Sequence, residues 1–175
     1  MITRYFPHEY EDDVFTIDYD ALYRIGIRGL IFDIDNTLVP HGKGSSEKVD
    51  ALFGRLKAMG FTTLLLSNNG TQRIENFNAN IGSLYIADAG KPATEGFNKA
   101  LSMLAMDKEQ TVVIGDQVFT DICGANRCGI ANILVKYINH EKIEWKGWKR
   151  YLEWIVLRIY LCSNKHKHRL YRKTI

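Results

Sequence analysis

Two aspartates separated by one residue, Asp33 and Asp35, are the part of this sequence best suited to chemistry. They follow an apolar run at residues 29–32. Alternate side chains of an extended segment share a face, so we expect both carboxylates to project into one cleft. Two negative charges so close together require a cation or a shared proton. The alternative interpretation is a pair of loop carboxylates that caps a turn.

Polar residues also follow three later apolar runs. Ser67 and Asn68 offer a hydroxyl and a backbone N–H, which suit phosphate oxygens at the start of a helix. Lys91 offers an ammonium group, and Asp116 and Asp121 could both bear on one hard cation. Each group also has an ordinary structural alternative, as a helix cap or a solvated surface charge. In chain order, however, the groups together look like one site.

Short strands alternating with helices must position these groups. Strands are predicted at residues 29–32, 61–66, 84–87, 111–114 and 130–135, each apolar enough to be buried on both faces. Helices are predicted from Ser45-Ser46 to Gly60, from near Thr71, after Pro92, and over about residues 120–129. We therefore predict an α/β fold, a three-layer Rossmann-like arrangement around a parallel sheet of about five strands. Ligands of such folds bind outside the carboxyl ends of the strands.

Two common ion-binding loops do not fit this sequence. A calcium loop beginning at Asp33 would need glycine at its sixth position and glutamate at its twelfth, where this chain has Leu38 and Gly44. Residues 42–45 lack the upstream glycine and the following Ser or Thr of a phosphate-binding P-loop. Neither motif accounts for the acidic pair.

The reactive groups, taken in order, resemble the four motifs of the haloacid dehalogenase (HAD) superfamily of phosphatases. The matching residues are Asp33-x-Asp35-x-Thr37, Ser67, Lys91-Pro92 and Gly115-Asp116-x-x-x-Thr120-Asp121, within residues 29–136. Residues 26–40 and the sequence Gly90-Lys91-Pro92 are similar, more narrowly, to the YqeG branch, which is related to phosphatidylglycerophosphate phosphatases. The resemblance implies a Mg²⁺-dependent phosphomonoester hydrolase.

The resemblance also implies roles for the residues of the first motif. Asp33 would attack phosphorus and form an aspartyl-phosphate intermediate. Asp35 would protonate the leaving oxygen, then deprotonate the attacking water, and its backbone carbonyl would bind the metal. Thr37 would hold Asp35 and the turn beside the phosphate.

The remaining motifs would bind the phosphate and the metal. Ser67, the backbone N–H of Asn68, and Lys91 would hold the oxygens of the transferring group and stabilise its charge. Asp116 would bind Mg²⁺ directly, together with Asp33 and Asp35 of the first motif. Asp121 would contact the metal ligands without touching the metal, or it would coordinate the metal itself.

The chain lacks room for the cap domain that many HAD relatives insert. Residues 38–61 hold a loop and one predicted helix, and residues 70–90 are too few for a second packed core. We therefore expect Asp33 to be an exposed nucleophile in an open cleft. An open cleft favours a phosphate carried on something large, such as a lipid head group, a protein or a nucleic-acid end. A partner subunit could instead serve as the lid.

Positive charge is concentrated near the C-terminus. Residues 1–136 carry 13 Lys and Arg against 17 Asp and Glu, a net charge of −4, whereas residues 137–175 carry 10 against 3, a net charge of +7. An amphipathic helix is predicted there, with an apolar face of Trp145, Trp148, Tyr151, Leu152, Ile155, Val156, Ile159 and Tyr160. Arg158 interrupts its apolar run, so the segment is not expected to span a membrane. It could bind an anionic membrane surface, pack on the sheet, or bind RNA.

Three segments are predicted: an N-terminal extension at residues 1–28 that packs on the core, a HAD-like core at residues 29–136, and the basic, aromatic segment at residues 137–175. The three cysteines have no metal-ligand partners at useful spacing, which fits a reduced compartment. The first residues lack the apolar core of a signal peptide. We therefore expect a cytoplasmic protein, peripheral at the inner face of the membrane if its C-terminal segment binds lipid.

The function favoured by the sequence is the dephosphorylation of phosphatidylglycerophosphate to phosphatidylglycerol. One alternative is a HAD phosphatase that acts on a protein, nucleotide or nucleic-acid phosphate, with the basic segment holding a polyanion. Another is a phosphate- or partner-binding module without catalysis. The intact Asp33, Asp35, Lys91 and Asp116 argue against the last alternative.

Overall fold

A computed structural model of the chain describes residues 2–138, 148–163 and 166–171, with residues 148–150 described as backbone only. Its centre is a parallel sheet of six strands in the order β1-β6-β5-β2-β3-β4. The strands are β1 (Glu9–Glu11), β2 (Gly29–Phe32), β3 (Thr62–Leu66), β4 (Leu84–Ile86), β5 (Thr111–Gly115) and β6 (Ala131–Val135). The α-helices are α1 (Tyr19–Arg24), α2 (Glu47–Ala58), α3 (Thr71–Asn78), α4 (Thr94–Leu104), α5 (Cys123–Cys128) and α6 (Trp148–Cys162). The predicted α/β class and parallel sheet are confirmed.

Alternate residues of the central strands pack into two apolar layers. Leu30 and Phe32 of β2 face a layer that contains the buried residues of α1, α2 and α3. Ile31 faces the opposite layer, where Phe97 and Leu104 of α4 pack with Ala125 of α5. The three-layer arrangement follows from this alternation, because the central strands are covered on both faces.

Strand order explains why the site lies at one point of the sheet edge. The chain runs from β2 outward through β3 to β4, then crosses to β5 and β6 on the other side of β2. Phe32 is in register with Leu65 on one side and Ile114 on the other. The residues that follow these strands therefore meet at the point where the strand order reverses, which is the ligand-binding position of open α/β sheets.

The sheet has one strand more than the sequence predicts. Strand β1 pairs in parallel with β6, with Glu9 beside Ile133. Glu9 is buried, and its carboxylate accepts hydrogen bonds from the Leu170 N–H at 3.0 Å and from His168 Nδ1 at 2.9 Å. A three-residue strand with two glutamates has no apolar run, so the pattern of hydrophobic residues could not indicate it.

Helix α6 uses one face for packing and leaves another exposed. Val156 and Tyr160 are buried in a cluster that includes Val118 and Ile122. Among the described side chains of α6, the large apolar ones that are exposed are Tyr151, Leu152, Trp154, Ile159 and Leu161. The single apolar face predicted from the sequence is thus divided between the core and the surface, since Val156 and Tyr160 pack inward.

Several predicted features of the C-terminal segment lie outside the described residues. These include Trp145 and the side chain of Trp148. Within the described part of the chain, no helix is both long and apolar enough to cross a lipid bilayer.

Candidate active site

Three buried carboxylates meet beyond the carboxyl ends of β2 and β5. Asp33 follows β2, Asp116 follows β5, and Asp121 lies in the π-helical turn Val118–Ile122 before α5. One carboxylate oxygen from each lies within 4.8 Å of the others, and all three residues are buried. Carboxylate oxygens at this spacing suit a hard divalent cation. The sheet therefore brings together three of the residues that the sequence analysis assigned to the metal.

Lys91 lies inside this carboxylate cluster. Its Nζ donates to Asp33 Oδ1 at 2.6 Å, to Asp121 Oδ1 at 2.6 Å and to the Leu66 carbonyl at 2.8 Å. Burial favours the neutral amine, but the carboxylates of Asp121 and Asp33 outweigh it and raise the pKa of Lys91. The side chain is consequently an ammonium that is already desolvated and oriented.

The carboxylate of Asp33 is much less accessible than the sequence analysis predicted. Its side chain is only 10% exposed, so the expectation of an exposed nucleophile is wrong. Burial and the charge of Asp121 raise the pKa of Asp33 to about 6, although Lys91 opposes them. When all four groups are ionised, one ammonium faces three carboxylates, so the cluster carries a net charge of −2. A divalent cation would balance this charge.

Gly115 permits the close approach of Asp121. A Cβ atom added at Gly115 would lie 2.5 Å from Cγ of Asp121, which is closer than non-bonded carbon atoms come. The carboxylate is fixed there by the Gln117 N–H, which donates to Asp121 Oδ2 at 3.2 Å. The glycine before Asp116 therefore positions the second carboxylate of the same motif.

Thr37 contacts Asp33 and Asp116 rather than Asp35. Its hydroxyl lies 3.2 Å from Asp33 Oδ2 and 3.3 Å from Asp116 Oδ1. The predicted contact between Thr37 and Asp35 is wrong, because the turn directs the hydroxyl toward the carboxylate cluster. Because Thr37 is itself buried, its hydroxyl is held between the carboxylates of Asp33 and Asp116.

Asp35 lies to one side of the carboxylate cluster, among donors that the sequence analysis did not identify. Arg73 donates to its Oδ1 at 2.9 Å, the Gly42 N–H donates to the same oxygen at 2.9 Å, and Asn69 Nδ2 donates to Oδ2. Burial raises the pKa of Asp35, but the bonds from Gly42 and Arg73 outweigh it and lower the pKa overall. The carboxylate is therefore held as an anion, and the donors that stabilise it make it a weaker base than an ordinary aspartate.

Arg73 also connects the active-site turn to the loop before α2. Besides binding Asp35, its guanidinium donates to the carbonyl of Lys43 at 2.7 Å. The sequence signal for this residue is weak, since Arg73 is an ordinary first-turn residue of a predicted helix. Its position next to the helix start that follows Ser67 is the feature that could have indicated it.

The Asn68 side chain makes contacts that the sequence analysis did not predict. Both polar atoms of the Asn68 side chain bond the backbone of Lys91, at 3.1 Å to its carbonyl and at 2.7 Å from its N–H. The side chain therefore anchors the lysine, while the backbone N–H assigned to phosphate binding stays a prediction. The buried Ser67 hydroxyl accepts from the backbone and side chain of Asn69, which leaves its proton for donation.

Comparisons with known proteins identify the family of this chain. The family described as HAD-hydrolase-like matches residues 88–150. The chain is 35% identical over 137 residues to "Probable phosphatase YqeG" of Bacillus subtilis, covering 77% of this chain and 80% of that protein. It is 30% identical over 140 residues to the chloroplastic phosphatidylglycerophosphate phosphatase 1 of Chlamydomonas reinhardtii, covering 74% of this chain and 52% of that protein.

A solved structure shows the same fold. The cobalt-bound deoxy-D-mannose-octulosonate 8-phosphate phosphatase of Haemophilus influenzae superposes with a TM-score of 0.50 at 17% identity. The superposition covers 80% of this chain and 91% of that protein. At this identity the similarity concerns the fold alone.

Proposed function

Because this chain belongs to the HAD-like hydrolases and is a phosphatase of the YqeG branch, we propose that it removes the terminal phosphate of a phosphatidylglycerophosphate lipid. The reaction would use Asp33 as nucleophile and Mg²⁺ as cofactor. The observation that carries the chemistry is the contact of Lys91 with both Asp33 and Asp121 in a buried cluster of three carboxylates. Burying such a cluster of charges costs stability, so its presence points to a functional role.

The carboxylate cluster fits magnesium. Asp33, Asp116 and Asp121 offer oxygen atoms only, which Mg²⁺ prefers over nitrogen and sulfur. Their net charge with Lys91 is equal and opposite to that of one divalent ion. The backbone carbonyl of Asp35 stays a proposed further ligand. When bound, Mg²⁺ would offset the repulsion between Asp33 and an anionic phosphate and orient that phosphate.

Asp33 would carry the covalent step. Its Oδ attacks phosphorus in line, the bond from phosphorus to the leaving oxygen breaks, and that oxygen takes a proton from the carboxyl of Asp35 and departs as the lipid alcohol. Lys91 and Ser67 would donate to the oxygens of the transferring group, whose charge increases toward the transition state. The phosphate is then held on Asp33 as an acyl phosphate.

Asp35 would act in the second step. It accepts a proton from water as the water oxygen attacks phosphorus, which releases inorganic phosphate and restores the Asp33 carboxylate. The hydrogen bonds from Arg73 and Gly42 keep Asp35 ionised for this role. To protonate the leaving oxygen in the first step, Asp35 would have to gain a proton against these donors.

Three observations support a lipid as the substrate. The relative from Chlamydomonas is named for phosphatidylglycerophosphate. The segments between β2 and β3 and between β3 and β4 hold α2 and α3, without a second packed core over the site. Helix α6 exposes apolar side chains, among them Tyr151 at 51% and Trp154 at 48%. A site without a cap domain, on a protein with such a helix, suits a head group that stays in a bilayer.

Helix α6 would provide the membrane contact. Tyr151 and Trp154 stack at 6.1 Å between ring centroids, and the guanidinium of Arg158 lies 5.1 Å from the Trp154 ring. Aromatic rings next to a cation suit the interface between water and an anionic bilayer. This would place the protein at the cytoplasmic face of the membrane as a peripheral protein.

Phosphate release in the presence of Mg²⁺ tests the proposed function. The substrates are phosphatidylglycerophosphate in anionic liposomes and the soluble monoester p-nitrophenyl phosphate. We expect preference for the lipid, and we expect Asp33→Asn to remove activity on both. The double variant Tyr151→Ser, Trp154→Ser should lose activity on liposomes only.

The matched control is Met103→Ser, which removes a similarly exposed apolar side chain from α4. It should behave like the unaltered protein. Equal rates on the two substrates would reject the lipid assignment, whereas turnover by Asp33→Asn would reject the nucleophile. Activity on a nucleotide or nucleic-acid phosphate above that on the lipid would point to the alternative substrates.

A further inference from the structure

A cavity of about 320 Å³ lies beside the turn that follows Asp33. Most of its wall is apolar, and the apolar residues are Val14, Phe15, Leu38, Val39, Pro40 and Ile138. Thr37 lines the cavity and also hydrogen-bonds Asp33. The cavity wall therefore includes a residue that contacts Asp33 directly.

The charged residues of the cavity wall favour an anion. Lys43 and Lys48 line it, and both are exposed. The Nζ of Lys48 lies 3.8 Å from the centroid of the Phe15 ring, which keeps the ammonium over the apolar wall. Asp13 is the acidic residue of the wall, and its Oδ1 accepts from the Phe15 N–H at 2.7 Å and the Thr16 N–H at 3.0 Å. Two cations thus face one carboxylate that is already bound to backbone donors.

We infer that this cavity binds the part of the substrate beyond the transferred phosphate, namely the glycerol that carries this phosphate and the phosphodiester at its other end. This inference rests on the proposed function. The apolar wall suits the carbon atoms of this glycerol, and Lys43 and Lys48 suit the phosphodiester charge. A simple phosphomonoester has no second charge and would not use these lysines.

The size of the cavity limits what it can hold. At about 30 Å³ for each water-sized group, the space accommodates on the order of ten non-hydrogen atoms. That number is enough for a glycerol and its phosphodiester but far too small for two acyl chains. The chains must therefore remain outside, as they would for a lipid that stays in its bilayer during the reaction.

A comparison of two substrates tests the cavity. Phosphate release in Mg²⁺ is measured from dioctanoyl phosphatidylglycerophosphate and from p-nitrophenyl phosphate. The lipid is kept below its critical micelle concentration, so attraction to a bilayer does not contribute. The variants are the double Lys43→Glu, Lys48→Glu, the conservative double Lys43→Arg, Lys48→Arg, and the control Lys57→Glu at the far end of α2.

We expect the glutamate double variant to lower kcat/KM for the short-chain lipid at least tenfold, mainly through a higher KM. For p-nitrophenyl phosphate its kcat/KM should stay within about twofold, which also shows that the variant is folded. The arginine variant and the control should retain the selectivity of the unaltered protein. An equal change on both substrates, or no change on either, overturns the cavity assignment.

The two proposals fail in different ways. If the unaltered protein hydrolyses p-nitrophenyl phosphate but not the short-chain lipid, the lipid function fails and the cavity assignment fails with it. If the unaltered protein hydrolyses the lipid and the lysine variants keep its selectivity, the cavity assignment alone fails.

Discussion

The guanidinium of Arg73 donates a 2.9 Å hydrogen bond to Oδ1 of Asp35 and so links the start of α3 to the turn that follows β2. Its second bond, to the Lys43 carbonyl, fixes the loop on the other side of Asp35. The proposed base is therefore held in place by a residue from a different element.

Arg73→Ala should lower kcat on the order of 10- to 100-fold, because a small displacement of a reacting group has effects of that size. Steady-state kinetics with p-nitrophenyl phosphate measures the loss. Arg55→Ala is the control, since Arg55 makes only an exposed ion pair with Asp20 among the contacts described. Activity of Arg73→Ala equal to that of the control would contradict the positioning role.

Gly115→Ala should disturb the site without touching a reacting group. The added methyl group would lie 2.5 Å from Cγ of Asp121, so either the strand or the carboxylate must move. We expect a fall in activity on the order of 100-fold, as for loss of a stabilising group in other enzymes. Gly54→Ala, on the exposed side of α2 with nothing near its Cβ, is the control and should be fully active. Full activity of Gly115→Ala would contradict the packing argument.

Asp33→Asn should change how stability depends on pH. Burial and Asp121 raise the pKa of folded Asp33 to about 6 from an ordinary value of 3.8, so the folded protein binds more protons than the unfolded protein between these values. This group therefore makes the free energy of unfolding fall as pH rises from about 4 to about 6. Urea unfolding in EDTA at several pH values measures this fall.

Asp33→Asn lacks the titrating carboxyl, so its free energy of unfolding should depend less steeply on pH over the same range. The same slope in both proteins would mean that Asp33 is not the titrating group. Because EDTA removes divalent ions, a metal-induced decrease in the pKa does not interfere with the measurement.

Mg²⁺ should stabilise the folded protein through the carboxylate cluster. At 100 times its dissociation constant, a ligand that binds only the folded state adds about 2.7 kcal/mol to the free energy of unfolding. Thermal unfolding in MgCl₂ and in EDTA should show this increase for the unaltered protein, and Asp116→Asn should reduce it strongly. Asp88→Asn is the control, because Asp88 is exposed and its φ of 46° is one that Asn tolerates. An equal Mg²⁺ effect in both variants would exclude Asp116 as a ligand.

Glu153→Ala should loosen the contact between α6 and the turn that carries Asp121. The Val118 N–H donates to Glu153 Oε1 at 3.2 Å in a buried position, so truncation leaves a buried donor without this acceptor. The expected cost is about 1–3 kcal/mol. Glu153→Gln keeps an acceptor oxygen and should cost less, and chemical denaturation compares the two variants. Equal stability of Glu153→Ala and the unaltered protein would contradict the contact.

The alternation of apolar runs and helical patterns was sufficient to predict the fold class. Residues 30–32 and 112–114 are apolar without interruption, because a central parallel strand is covered on both faces. The reactive groups were identifiable because they directly follow these strands, and parallel strands have their carboxyl ends at one edge of the sheet. Strand β1 was missed because its burial depends on pairing with β6 and on contacts from residues 168 and 170, which are distant in sequence.

The sequence by itself determined which reactive groups this protein has and in what order they meet the sheet. Only the tertiary structure decided their surroundings: Asp33 is enclosed with Lys91 and Asp121, and Asp35 is held by Arg73. The physical reason is that the period of a strand or helix is a local property, whereas burial and hydrogen bonding depend on which distant segments pack together. The pKa of each aspartate is set by these distant neighbours.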